Sequence, residues 1–241
     1  MSSVDTAALV ILAMNGMALG MSIILVSWIY ALHRHARRVF EPLESSAGKT
    51  SPALPSVPRP SRWLAVRAAG PKAVQAALGS NRFTPCSWPD GMTGAYEFFI
   101  SPQVHGWVIV TGSGLPDPGD DVDACFHFLT ALSRRLGHVQ FFHADRVLHH
   151  HAWARLDEGC VTRAFAWTGE TGWNQGVETL AEIALRLKCP GYGDRSMTAR
   201  EAETNSERVP LLAARWSIDP AEINRHLARQ PGSAGGLASI Y

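Results

Sequence analysis

Several signatures that would settle an activity are missing from this chain. The four cysteines, Cys86, Cys125, Cys160 and Cys189, stand far apart, with no CxxC pair and no zinc-ribbon spacing. Each reads as a small apolar side chain, and as a reduced thiol if the domain is cytoplasmic. The Gly-rich stretch 111–123 has no Gly-Lys-Ser/Thr step, and its aspartates Asp117, Asp120, Asp121 and Asp123 would repel a phosphate. Its spacing also fails the EF-hand pattern, so those carboxylates read as caps for the helix that follows. Ser113 lacks a GxSxG elbow, and there is neither a Rossmann pattern nor an internal repeat. Nor is there an excess of one charge. Lys plus Arg number 22 and Asp plus Glu 21, for a formal net charge of +1, which argues against a dedicated nucleic-acid surface.

What is present is a long uncharged run at residues 7–32. As a helix it would span roughly 39 Å against a hydrocarbon core of about 30 Å, so it reads as a single tilted transmembrane anchor. Arg34, Arg37 and Arg38 follow it, while Asp5 is the sole charged side chain before it. The positive-inside rule then puts the N-terminus outside and the large C-terminal part in the cytoplasm, at the cell inner (plasma) membrane. A cleaved signal peptide is disfavoured, because the stretch lacks a basic start and basic residues follow where a cleavage site should lie. Ala13, Gly16, Gly20 and Ser27 make a small-residue stripe with a GxxxG match, and Asn15 puts an amide in mid-membrane. Both features suit close helix–helix association, with another copy or with a different membrane protein.

The order of the chain divides it into an N-terminal tail, anchor and basic flank over 1–40, a Pro/Ser-rich linker over 41–62, an α+β domain over 63–187, and a polar loop, helical hairpin and frayed tail over 188–241. Strands are expected at 63–67, 96–100, 106–112, 138–144, 147–155 and 160–167, the last two as a hairpin. Helices are expected at 71–78, 120–136, 177–187, 209–216 and 220–228. The segment 81–94 reads as an irregular loop whose Cys86 and Trp88 pack back on the core, and 188–208 as a polar loop. The fold class is α+β: a mainly antiparallel sheet with helices packed on one face.

Three constellations could carry chemistry. His149 and His151, two apart on an expected strand, would share a face and could bind a metal if His143 joined them. Trp153, Trp167, Glu170, Trp173 and Asn174 cluster around the last expected hairpin, in the aromatic-plus-amide composition of a ligand or partner pocket. The segment 211–227 resembles a helix-turn-helix, with Ala214, Ile218, Ile223 and Leu227 as its internal positions. Taken together, the sequence favours a membrane-anchored, non-enzymatic protein-binding module, such as an accessory or scaffold subunit of a membrane complex. No cofactor and no nucleic-acid partner are expected. The alternatives are a metal-dependent hydrolase using the histidine face and a membrane-tethered regulator.

Overall fold

The computed structural model describes residues 60–79, 82–91, 96–218 and 231–237. The anchor with its stripe Ala13, Asn15, Gly16, Gly20 and Ser27 lies outside the described residues, as do most of the linker and the expected helix at 220–228. No helix among the described residues is long and apolar enough to cross a membrane.

The first strand, β1 (Arg62–Arg67), reads RWLAVR, with four consecutive buried residues. Such a run, with no polar alternation, is what a strand needs when both faces of its sheet are covered. The same holds for β4 (Val108–Thr111, VIVT) and β5 (His138–Ala144, HVQFFHA). Around them lie β2 (Phe83–Cys86), β3 (Tyr96–Ile100), β6 (His151–Asp157), β7 (Cys160–Trp167), β8 (Thr171–Gln175) and β9 (Gly232–Leu237). They form one nine-stranded sheet in the order β2-β9-β3-β4-β1-β5-β6-β7-β8. Every pairing in it is antiparallel.

Cross-strand partners share a face, and sequence neighbours take opposite ones. One register column runs Trp63, Phe142, Trp153, Phe165, Asn174. The adjacent column runs Arg62, His143, Ala152, Ala166, Trp173 on the other face. The first face packs under α5 (Ala199–Trp216), through Ala202, Val209, Leu212 and Ala213, together with Leu185 and Leu187. The second packs under α1 (Pro71–Leu78) and α3 (Val122–Leu136), through Val74, Cys125, Leu129 and Leu132. Helices therefore cover both faces, not one as expected. The continuous apolar strands are the physical reason.

Local signals explain most boundaries. α1 starts on Pro71 and ends at Gly79, which is left-handed at φ 75°. Asp121 caps α3 by accepting from the Ala124 amide at 2.8 Å, as read from the sequence. Glu158 (φ 49°) and Gly159 (φ 82°) make the two-residue turn of the β6–β7 hairpin. The strand expected from 147 starts only at His151, because Asp145 folds residues 145–148 into a turn, its Oδ1 accepting from the Val147 and Leu148 amides.

Three segments differ from expectation. The segment 81–94 contains β2 and the short helix α2 (Trp88–Gly91), although Cys86 and Trp88 are buried as anticipated. The polar loop over 188–208 gives way at Ala199 to α5. Its inward positions there are Ala202, Asn205 and Ser206, small or polar side chains that imitate a solvated segment. The tail read as frayed contains β9, paired on both sides, with β2 and β3. GSAGGL carries no strand pattern, yet its glycines are demanded by packing. A Cβ on Gly232 would stand 2.6 Å from the Ile100 carbonyl oxygen and 2.7 Å from the Phe99 ring, and one on Gly235 would stand 2.7 Å from the Phe83 ring.

Candidate functional site

The residues nominated from sequence are dispersed. His143 pairs with Ala152, so it points to the face opposite His151. His149 precedes β6 in a left-handed conformation, φ 55°, and its carbonyl accepts from His151 Nδ1 at 3.0 Å. The Nε2 of His151 lies 3.1 Å from Asn205 Nδ2. Asn205 is oriented by the Lys188 backbone, accepting its N–H at Oδ1 and donating to its carbonyl from Nδ2. His151 Nε2 is therefore an acceptor, its proton sits on Nδ1, and both nitrogens are engaged. Burial holds its pKa down at about 4. The three histidines do not converge, and among the described residues no group of three or more His, Cys, Asp or Glu is placed to hold a metal ion. This corrects the shared histidine face expected from a strand starting at 147.

On the opposite face, burial also lowers the pKa of His143, against the pull of Asp117. Asp117 Oδ1 lies 3.7 Å from His143 Nδ1, and its Oδ2 lies 3.3 Å from Arg62 Nη1. The same carboxylate accepts from the Gly119 amide, closing its own loop. Cys125 and Cys189 are pushed up to about 12 by burial, which keeps both as thiols.

The aromatic set also divides. Trp153, Trp167 and Asn174 lie on the face under α5, Trp173 lies on the other, and Glu170 is exposed and paired with Arg195 at 2.8 Å. The structure thus separates the five residues rather than gathering them around a pocket. The first helix of the expected helix-turn-helix, 209–216, is the second half of the continuous helix over 199–216, and its second helix lies outside the described residues. The continuous helix packs on the sheet through Val209, Leu212 and Ala213, and Ala214 is exposed.

Two of the nominated residues, Trp153 and Asn174, nonetheless belong to an extended buried polar node among the described residues. Arg163 on β7 and Glu182 on α4 (Leu180–Ala184) are both buried and joined by a 2.7 Å bond from Nε to Oε1. The same Oε1 accepts from Trp153 Nε1 at 2.7 Å, while Oε2 accepts from the Thr179 amide at 2.6 Å. Arg163 Nη1 donates to Asn174 Oδ1 and to the Ala164 and Gln175 carbonyls. Asn174 in turn donates to the Cys189 and Pro190 carbonyls. The node ties β6, β7 and β8 to α4 and to the segment beyond it.

Its effect is on α4. A five-residue helix has no stability of its own. This one is held by a capping box between Thr179 and Glu182, and by Glu182 reaching inward to Arg163 and Trp153. Turned the other way are Val177, Leu180 and Ile183, exposed by 86%, 84% and 56%. Leu180 and Ile183, three apart, share one side of the helix, and Val177 lies in the segment that leads into it. The helix therefore presents an apolar strip to solvent beside β8, the strand at one edge of the sheet. Capping boxes at Thr179–Glu182 and Thr198–Glu201 start α4 and α5, a signal the sequence reading did not use, and the partnership of Arg163 with Glu182 could be seen only in three dimensions.

Comparison of the chain with protein families, with curated proteins and with solved structures gives no match in any of the three.

Proposed function

We propose that this chain is a membrane-anchored, non-enzymatic protein-binding module, an accessory or scaffold subunit whose domain meets its partner through the strip Val177, Leu180 and Ile183 beside the β8 edge. The observation that carries the reading is the way α4 is held. A buried ion pair, a tryptophan N–H and a capping box fix a helix too short to persist alone, and the face so fixed is apolar and exposed. Large apolar side chains held rigidly in water suit an interface core, where ordering has already been achieved before binding. Trp153 and Asn174 serve this reading as supports beneath the strip. The run at 7–32 is the anchor, with the domain on the cytoplasmic side, and the stripe Ala13, Gly16, Gly20 and Ser27 with Asn15 offers a second contact inside the bilayer.

The test is co-purification of the full chain in mild detergent, beside Leu180→Glu/Ile183→Glu and Gly16→Leu/Gly20→Leu variants. A stoichiometric partner, or a second copy, held by the wild type and lost from the first variant supports the strip. Loss from the second variant alone moves the interface to the membrane helix. A wild-type chain that stays monomeric and unaccompanied overturns the reading.

A further inference from the structure

We propose that the cleft between the 185–188 segment and the first half of α5 binds a compact phosphate-bearing anion. The cleft has a volume of about 320 Å³ and is lined by Arg186, Lys188, Arg200 and Arg208, with Glu201 as its one carboxylate. Four cationic side chains around a single carboxylate give the cleft a positive potential that favours an anion.

That carboxylate is already occupied. Glu201 Oε2 accepts from the Thr198 amide at 3.0 Å and from the Thr198 hydroxyl at 2.9 Å, and Oε1 stands 4.0 Å from Lys188 Nζ. Arg186 and Arg200 make no side-chain hydrogen bond or ion pair among the described residues. Arg208 is held through Nη1, which donates to the Leu185 carbonyl at 2.8 Å, so its guanidinium is positioned in advance. Arg186 sits at φ 51°, a backbone conformation uncommon for a long side chain. Arg200 lies in the first turn of an 18-residue helix, where the helix dipole disfavours a cation and favours an anion. Planar guanidinium forks and an ammonium are the donors that suit phosphate oxygens.

The size and surroundings narrow the ligand. Lys188 and Glu201 also line a neighbouring cleft, which carries Glu178 and Asp194, so the positive zone is bounded. With the formal net charge of +1, that boundary favours one or two phosphate groups over an extended polyanion. The phosphate could belong to a soluble anion or to the headgroup of an anionic lipid.

The experiment uses the full chain. In non-ionic detergent it is titrated with inorganic pyrophosphate, followed by calorimetry and by amide hydrogen exchange. Saturable binding is expected, with slowed exchange at 186–188 and 198–201. Arg200→Gln and Arg186→Gln should each weaken it about tenfold or more while leaving the thermal midpoint in place. In nanodiscs without added anion, the same protection with phosphatidylglycerol but not with phosphatidylcholine alone would assign the phosphate to lipid. Protection by pyrophosphate only would assign it to a soluble anion. The proposal is overturned if neither probe protects these amides, or if binding is unchanged in the Arg186→Gln/Arg200→Gln double variant.

Discussion

Arg163, Trp153 and the Thr179 amide all end on the two carboxylate oxygens of Glu182. Removing one member of a buried pair leaves the other charge without compensation, so Glu182→Ala should destabilise the fold by about 3–5 kcal/mol. Replacing both, as Arg163→Met/Glu182→Leu, should cost much less, because no buried charge remains. Denaturant unfolding of the two variants checks the ordering. His151 gives a second residue-scale expectation. Its pKa of about 4 lies below the ordinary value of 6.5, so between those values the unfolded chain binds more protons than the folded one. Stability should therefore be complete above about pH 6.5 and fall as pH drops toward 4, by about 3 kcal/mol. Urea midpoints at pH 7.5 and 4.5 measure it, and the drop should shrink in His151→Gln. Little at this scale was legible in sequence. The spacing of His149 and His151 left a metal site open if His143 joined them, whereas His151 is a core histidine, stacked on Trp153 at 5.8 Å between ring centroids. A sequence shows residue types and spacing, and the partner that decides a histidine's role, here Asn205, sits 54 positions away.

Among the elements, β9 carries the sharpest expectation. Gly232→Val would drive a branched side chain into the Ile100 carbonyl and the Phe99 ring, and overpacking of this kind costs about 1–3 kcal/mol. Hydrogen exchange should then quicken along β2 and β9 first, since β2 is an edge strand and has no other neighbour. Where apolar side chains announce a strand, as in β1, β3, β4, β5 and β7, the sequence reading and the structure agree closely. So do α1 and α3, whose Pro, Asp and Gly signals are local. β8 and β9 escaped because TGWNQ and GSAGGL are defined by what packs against them. α5 escaped over its first half because its buried positions are Ala202, Asn205 and Ser206, chosen for close approach and hydrogen bonding, not for hydrophobicity. Helices on both faces could have been read from the four-residue apolar runs, which leave neither side of the sheet for water.

At the scale of the whole molecule, the proposed attachment and the proposed partner make separable demands. The anchor variants should change association inside the bilayer and leave the unfolding of the domain untouched, and the Leu180→Glu/Ile183→Glu pair should do the reverse of the first and the same as the second. Thermal unfolding of each variant beside its co-purification result checks this. The sheet order has a further consequence, for how the chain is made. β2 and β3 emerge early from the ribosome, but the strand that lies between them is the last described element of the sequence. Until Gly232–Leu237 has been synthesised, β3 has an open ladder on one side and β2 has no strand beside it. Nascent chains must therefore carry an incomplete sheet from the emergence of β3 until that of β9, with bare strand edges that invite other chains. Closing it late over so long a loop makes the final step slow. Chaperones that shield strand edges should therefore raise the yield of folded protein, and slowing translation, which prolongs the exposure, should lower it.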